Sequence, residues 1–266
     1  MKNLMFLFVC VACLLTNAAA CTTSDNPQPD QTITVWDRYN VGSVLFEDKA
    51  PETAGSDIYR RIIPQPESYI KEQARTVLAT LYTSPKDSIP RVYQIHYTLE
   101  DIEGVSAKSG GNGYVSIFYS TRHIEQSFGQ NDTAKVLFET RGVLLHELTH
   151  AYQLEPQGVG SYGDNPTFRA FIEGMADAVR IANGGFEGPD ARPKGGSYMD
   201  GYRTTGYFLV WLRDHKDAEF LRKFNRSALE VVPWSFDGAV KHILGQDCNI
   251  DQLWREYQIA VGDVQP

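Results

Sequence analysis

No run of lysine or arginine occurs in the 266 residues, and the formal net charge is −8. A protein that grips a phosphate backbone needs a basic face, so nucleic acid is not an expected partner. Cysteine is scarce as well. Three of the four, Cys10, Cys13 and Cys21, crowd the N-terminus, and Cys248 stands alone. That spacing rules out a disulfide framework, and after Cys21 no Cys-x-x-Cys pair exists to build a cysteine-rich zinc module. No long apolar run follows Leu15, so nothing after it is expected to span a membrane. What is present suits a folded domain: 42% hydrophobic, 12% aromatic and only 22% charged residues, enough to bury a sizeable core.

Residues 1–20 have the three parts of a secretory signal. Lys2 supplies the positive start, Met5 to Leu15 the apolar stretch, and Ala18-Ala19-Ala20 the small residues before a cut. Cys21 follows directly, which resembles a bacterial lipoprotein signal whose cysteine is acylated. Ala18 departs from that pattern, because leucine is usual there, and Ala-x-Ala also suits ordinary secretion. The polar stretch to Gln31 favours the lipoprotein, as a solvated tether over residues 21–31. The expected product is exported to the periplasm or cell surface. It touches the membrane only through a lipid on Cys21.

Residues 32–266 read as one α+β domain, a mixed sheet first and a mostly helical half after it. Thr32 to Trp36 alternates like a strand, as do Arg91 to Leu99, Val105 to Lys108 and Gly113 to Tyr119. The last two flank a Gly-rich turn at 109–113. Ser68 to Tyr82 has helical spacing after Pro64 and Pro66. Further helices are expected over 133–153, 167–183, 199–214, 217–227, 235–244 and 250–260.

The chemistry concentrates in Gly142-Val143-Leu144-Leu145-His146-Glu147-Leu148-Thr149-His150. Positions i and i+4 share one helix face, so His146 and His150 can aim two imidazoles at one metal ion. Glu147 is placed to reach a metal-bound water as general base. Two imidazoles and a carboxylate suit Zn²⁺, with one position left open. Downstream stand Glu155, Asp164, Glu173 and Asp177. Glu173 and Asp177 lie four apart in an apolar helical run. That spacing lets Glu173 complete the metal site while Asp177 accepts the far imidazole proton of His146 and fixes its tautomer. The competing reading pairs both acids with Arg180 or Arg169 at a surface. His96, His123, His215 and His242 have no partner at metal spacing and read as structural or surface residues.

Two blocks, His146 to Gln153 and Ile172 to Arg180, resemble the plant basic secretory protein family of zinc metallopeptidases, which has bacterial members. Asp101 to Ala107, Gly201-Tyr202 to Phe208-Leu209, and Gln252-Leu253-Trp254 extend the likeness over roughly 33–258. The chain departs from the family's label, since it is acidic. The resemblance implies a gluzincin-like peptidase acting on a polypeptide or glycoprotein. It suggests Tyr202 as the donor facing the oxyanion, against a plain packing role. It also raises the strand at 114–118 as a substrate-binding edge, against an ordinary central strand. A different class of function stays open: a non-catalytic surface protein binding glycan or protein on a peptidase-derived fold.

Overall fold

The computed structural model describes residues 34–188 and 190–266. The expected signal and tether, Cys21 included, lie outside the described residues, as do Thr32 and Ile33.

Four strands form one mixed sheet in the order β1-β2-β4-β3: β1 (Ser43–Asp48), β2 (Gln94–Glu100), β3 (Ser106–Gly111) and β4 (Tyr114–Ser120). β1 and β4 each run parallel to β2, and β3 runs antiparallel to β4. The β3–β4 hairpin closes through Asn112-Gly113, whose φ values are 52° and 82°. A two-residue loop with both angles positive matches the twist of the flanking strands, and Asn-Gly tolerates it best. β4 is therefore interior, so the sheet edge expected at 114–118 belongs instead to β3.

Alternation sets the faces. Ile95, Tyr97 and Leu99 of β2 and Val115, Ile117 and Tyr119 of β4 are buried. They meet α1 (Ala54–Ile62), α2 (Pro66–Leu81) and α3 (Thr121–Ser127) around a stack of Phe46, Tyr59 and Tyr97.

The second half is helical: α4 (Thr133–Tyr152), α5 (Pro166–Ala182), α6 (Tyr202–His215), α7 (Phe220–Glu230), α8 (Phe236–Leu244) and α9 (Ile250–Ala260). Asp132 caps α4 by accepting from the Lys135 amide, and Asn165 caps α5 just before Pro166. Leu144, Leu145 and Leu148 of α4 are fully buried. Each such burial contributes roughly 1.5–3 kcal/mol. α5 and α6 pack closely because a glycine on each leaves room for the other, Gly206 for the α5 backbone and Gly174 for the Thr205 side chain. A Cβ on Gly206 would stand 3.0 Å from the Ala178 nitrogen, and one on Gly174 would overlap the Thr205 side chain. This approach brings the start of α6 over the acidic face of α5.

The expected strand at 32–36 is not formed in its described part. Thr34 to Arg38 is a turn, with the Thr34 amide donating to Asp37 Oδ2 at 2.5 Å and the Asp37 amide to Thr34 O at 3.2 Å. Asp37 captures the backbone locally, and Trp36 is buried from within the turn. α6 starts three residues later than expected, because Gly201 at φ 73° interrupts the helical run. α7 also starts three residues late, behind a turn in which Asp217 accepts from the Glu219 amide. β1, α1 and α3, of six, nine and seven residues, are not expected from the sequence.

Candidate active site

α4 projects His146, Glu147 and His150 from one stretch of helix, and α5 presents Glu173 and Asp177 to them. Three ligand atoms converge. The two Nε2 atoms are 3.1 Å apart, and Glu173 Oε2 lies 3.3 Å from His146 Nε2 and 3.6 Å from His150 Nε2. All three fall within 4.8 Å of one another, a group that could hold a metal ion. Two imidazole lone pairs and a carboxylate oxygen aimed at one point offer no donor among themselves, and a cation satisfies all three.

The outer nitrogens are held too. Asp177 Oδ1 is 2.7 Å from His146 Nδ1, the partner the sequence suggested. His150 Nδ1 faces the side-chain amide of Gln153 at 2.8 Å, and Gln153 Oε1 is buried without a partner. Turning that amide over puts Oε1 where it can accept from an Nδ1–H of His150. In each histidine Nε2 is then the free lone pair. Sequence reasoning missed Gln153, although it stands three residues after His150 on the same face.

Glu147 and Glu173 are each only 5% exposed and Asp177 3% exposed. Burial alone disfavours charge on His146, but when no cation occupies the cluster, hydrogen bonds to Asp177 and Glu173 outweigh it and push its pKa up to about 10, and a metal on Nε2 would replace that proton. Burial likewise works against charge on Glu173. With no cation on the histidines, bonds from His146, His150 and Tyr162 win and hold its carboxyl well below the usual range. Tyr162 donates to Glu173 Oε1 at 2.6 Å, leaving Oε2 to face the histidines. Burial, then the Glu173 carboxylate, raises the Tyr162 hydroxyl above its ordinary value, and the same two causes act on Tyr202. Both phenols therefore stay neutral donors at neutral pH.

Ser106, the first residue of the edge strand β3, donates to Glu147 Oε1 at 2.5 Å. Ser106 lies in the family-like block Asp101 to Ala107 but drew no role from it, and Tyr162 lies in no such block. Their roles come from position, on a strand and a loop that frame the helix. Tyr202 sits at the mouth, 51% exposed, its ring parallel to that of His146 with centroids 6.1 Å apart. A cavity of about 420 Å³ joins the cluster to Lys108, Glu155, Phe168 and Ile172.

The surface pairing of Glu173 or Asp177 with an arginine is not the arrangement found. Arg180 bonds Glu139 at 3.0 Å, and Arg169 lies over the Tyr162 ring. The remaining histidines stand apart: His96 on Glu47, His123 near Ser127, His215 on the Trp211 carbonyl and His242 on Glu230. Tyr207 packs partly buried against the core.

Comparison with known proteins gives a family. Neither the curated proteins nor the solved structures yield a match. A family model described as a peptidase of plants and bacteria, that of the basic secretory proteins, matches residues 42–257 and so takes in every residue of the cluster. Over that span the chain belongs to this family of plant and bacterial peptidases.

Proposed function

We propose that the protein is an exported zinc metallopeptidase of the gluzincin type, cleaving polypeptide or glycoprotein substrates in the cleft beside β3. The observation that carries this reading is the convergence of His146, His150 and Glu173 next to Glu147 in an open cleft. Zinc is the favoured metal because it accepts mixed imidazole and carboxylate ligands and tolerates an open position. When bound, it would polarise the scissile carbonyl and acidify an attacking water. Glu147 would act as the general base, taking a proton from an attacking water and returning it to the leaving amine. The Ser106 hydroxyl occupies Oε1 of Glu147 and leaves the other oxygen for this transfer. Among the described residues β3 pairs only with β4, so its outer edge can accept a substrate as an added strand. Tyr202, a neutral donor at the mouth of the cleft, faces the developing oxyanion, while Tyr162 uses its hydroxyl on Glu173.

Asp177→Asn tests the site without removing a ligand. The amide can turn its oxygen to His146 Nδ1 but lacks the charge that strengthens the imidazole. Zinc affinity should fall by roughly 10–100-fold, read by competition with a chromogenic chelator. Unchanged affinity would mean that His146 does not bind the metal through Nε2.

For the N-terminus, the proposal is a lipid on Cys21 and a tether to residue 31. Mass spectrometry of the protein from a bacterial membrane fraction should find the first residue to be a diacylglyceryl cysteine. An unmodified Cys21, with the protein free in the medium, would show plain secretion.

A further inference from the structure

The cleft does not end at the catalytic cluster. A second cavity, of about 400 Å³, shares Ser106, His146, Glu147 and Tyr202 with the first and reaches Arg180, Phe186 and Arg203. Both guanidiniums lie over the Phe186 ring, with Cζ at 3.9 Å from its centroid for Arg180 and 5.5 Å for Arg203. Their other contacts differ. Arg180 is buried and bonds Glu139. Arg203 is half-buried, and its Nη1 meets only the carbonyls of Ala191 at 3.2 Å and Asp190 at 3.4 Å. Among the described residues it has no carboxylate partner. The acids lining this cavity, Glu147 and Asp177, are engaged by Ser106 and His146.

The backbone marks the same place. Four non-glycine residues have positive φ among those described, and two are asparagines, for which this is ordinary. The other two are aromatic, Phe186 at 61° and Tyr202 at 43°, and both line this cavity. Bulky residues hold such angles only where the surroundings impose them, which is common at ligand sites.

Two cations sharing one ring repel each other, and an anion beside them relieves that. A guanidinium presents a planar fork that matches a carboxylate. We propose that Arg203, backed by Arg180, is a specificity residue that binds a substrate carboxylate near the scissile bond, so the preferred substrates are acidic peptides. This rests on the peptidase reading above. The carboxylate can come from an Asp or Glu side chain or from a free C-terminus.

The test uses zinc-loaded, full-length protein and fluorogenic peptide pools that differ only in Glu or Gln at positions flanking the cleaved bond. Each pool is made with a free and an amidated C-terminus. Wild type should favour the carboxylate-bearing member by about tenfold or more in kcat/KM, mostly through KM, and less so at high salt. Arg203→Gln, which still donates to the two carbonyls, should erase that ratio, and Arg203→Lys should restore part of it. Zinc content and circular dichroism confirm that each variant is folded. The Glu/Gln and free/amidated arms separate a side-chain site from a terminal one. Fluorescence anisotropy of the same pools on Glu147→Gln reports the preference as Kd, without cleavage. An Arg203-dependent preference in binding with no cleavage by wild type would sink the peptidase reading and keep the subsite. A wild type that ignores the carboxylate, or an Arg203→Gln variant that keeps the full preference, overturns the subsite itself.

Discussion

Glu147→Gln should cut peptide turnover by about 10²–10⁴-fold, the usual worth of a positioned general base. Glutamine nearly matches glutamate in shape and can still accept from Ser106, so the local packing should survive. It cannot take a proton from water at neutral pH. Glu147 lies outside the converging ligand set, so zinc content should stay near that of wild type. The check is kcat on a peptide pool beside metal analysis of both proteins. If the variant cleaves as fast as wild type, the role given to Glu147 is wrong. If both hold zinc and neither cleaves anything, the non-catalytic binding protein takes precedence.

His150→Ala should have the opposite signature, losing zinc itself and with it all turnover. The imidazole is one of three ligands and also anchors the Gln153 amide. Its removal leaves His146 and Glu173, too few protein ligands for a catalytic zinc site. Zinc stabilises the folded state by binding it preferentially. Wild type should therefore unfold at lower temperature after chelation, whereas His150→Ala should be insensitive to the chelator. Differential scanning calorimetry with and without zinc separates the two, and a zinc-dependent transition surviving in His150→Ala would remove that residue from the ligand set.

Much of the site could be read from spacing. The four-residue interval between His146 and His150 needs only a helix to put both rings on one face, and the same interval links Glu173 to Asp177. Both intervals lie in long runs free of proline, where helical character is strongest. Over its described residues, 34–36, the strand assigned to 32–36 failed for a local reason. Alternation there is real, but Asp37 offers the Thr34 amide a nearer partner than a neighbouring strand would. α6 began late because a glycine with positive φ sits where the apolar periodicity had already started.

The sequence by itself determined which residues each element could offer: two imidazoles and a base on α4, two carboxylates on α5, and an acidic chain without a run of lysine or arginine. Helical periodicity is a property of the local chain, so it survives without knowledge of any partner. Only the tertiary structure decided which oxygen of Glu173 faces the histidines, that Tyr162 holds the other, and that Ser106 reaches Glu147 across 41 intervening steps of chain. It also decided that Arg180 turns to Glu139, and that Arg203 is left without an acid among the described residues. Those outcomes depend on how closely α6 approaches α5 at Gly174 and Gly206, and on which strand forms the sheet edge. Both are set by packing between distant segments, for which no single stretch of sequence carries a period.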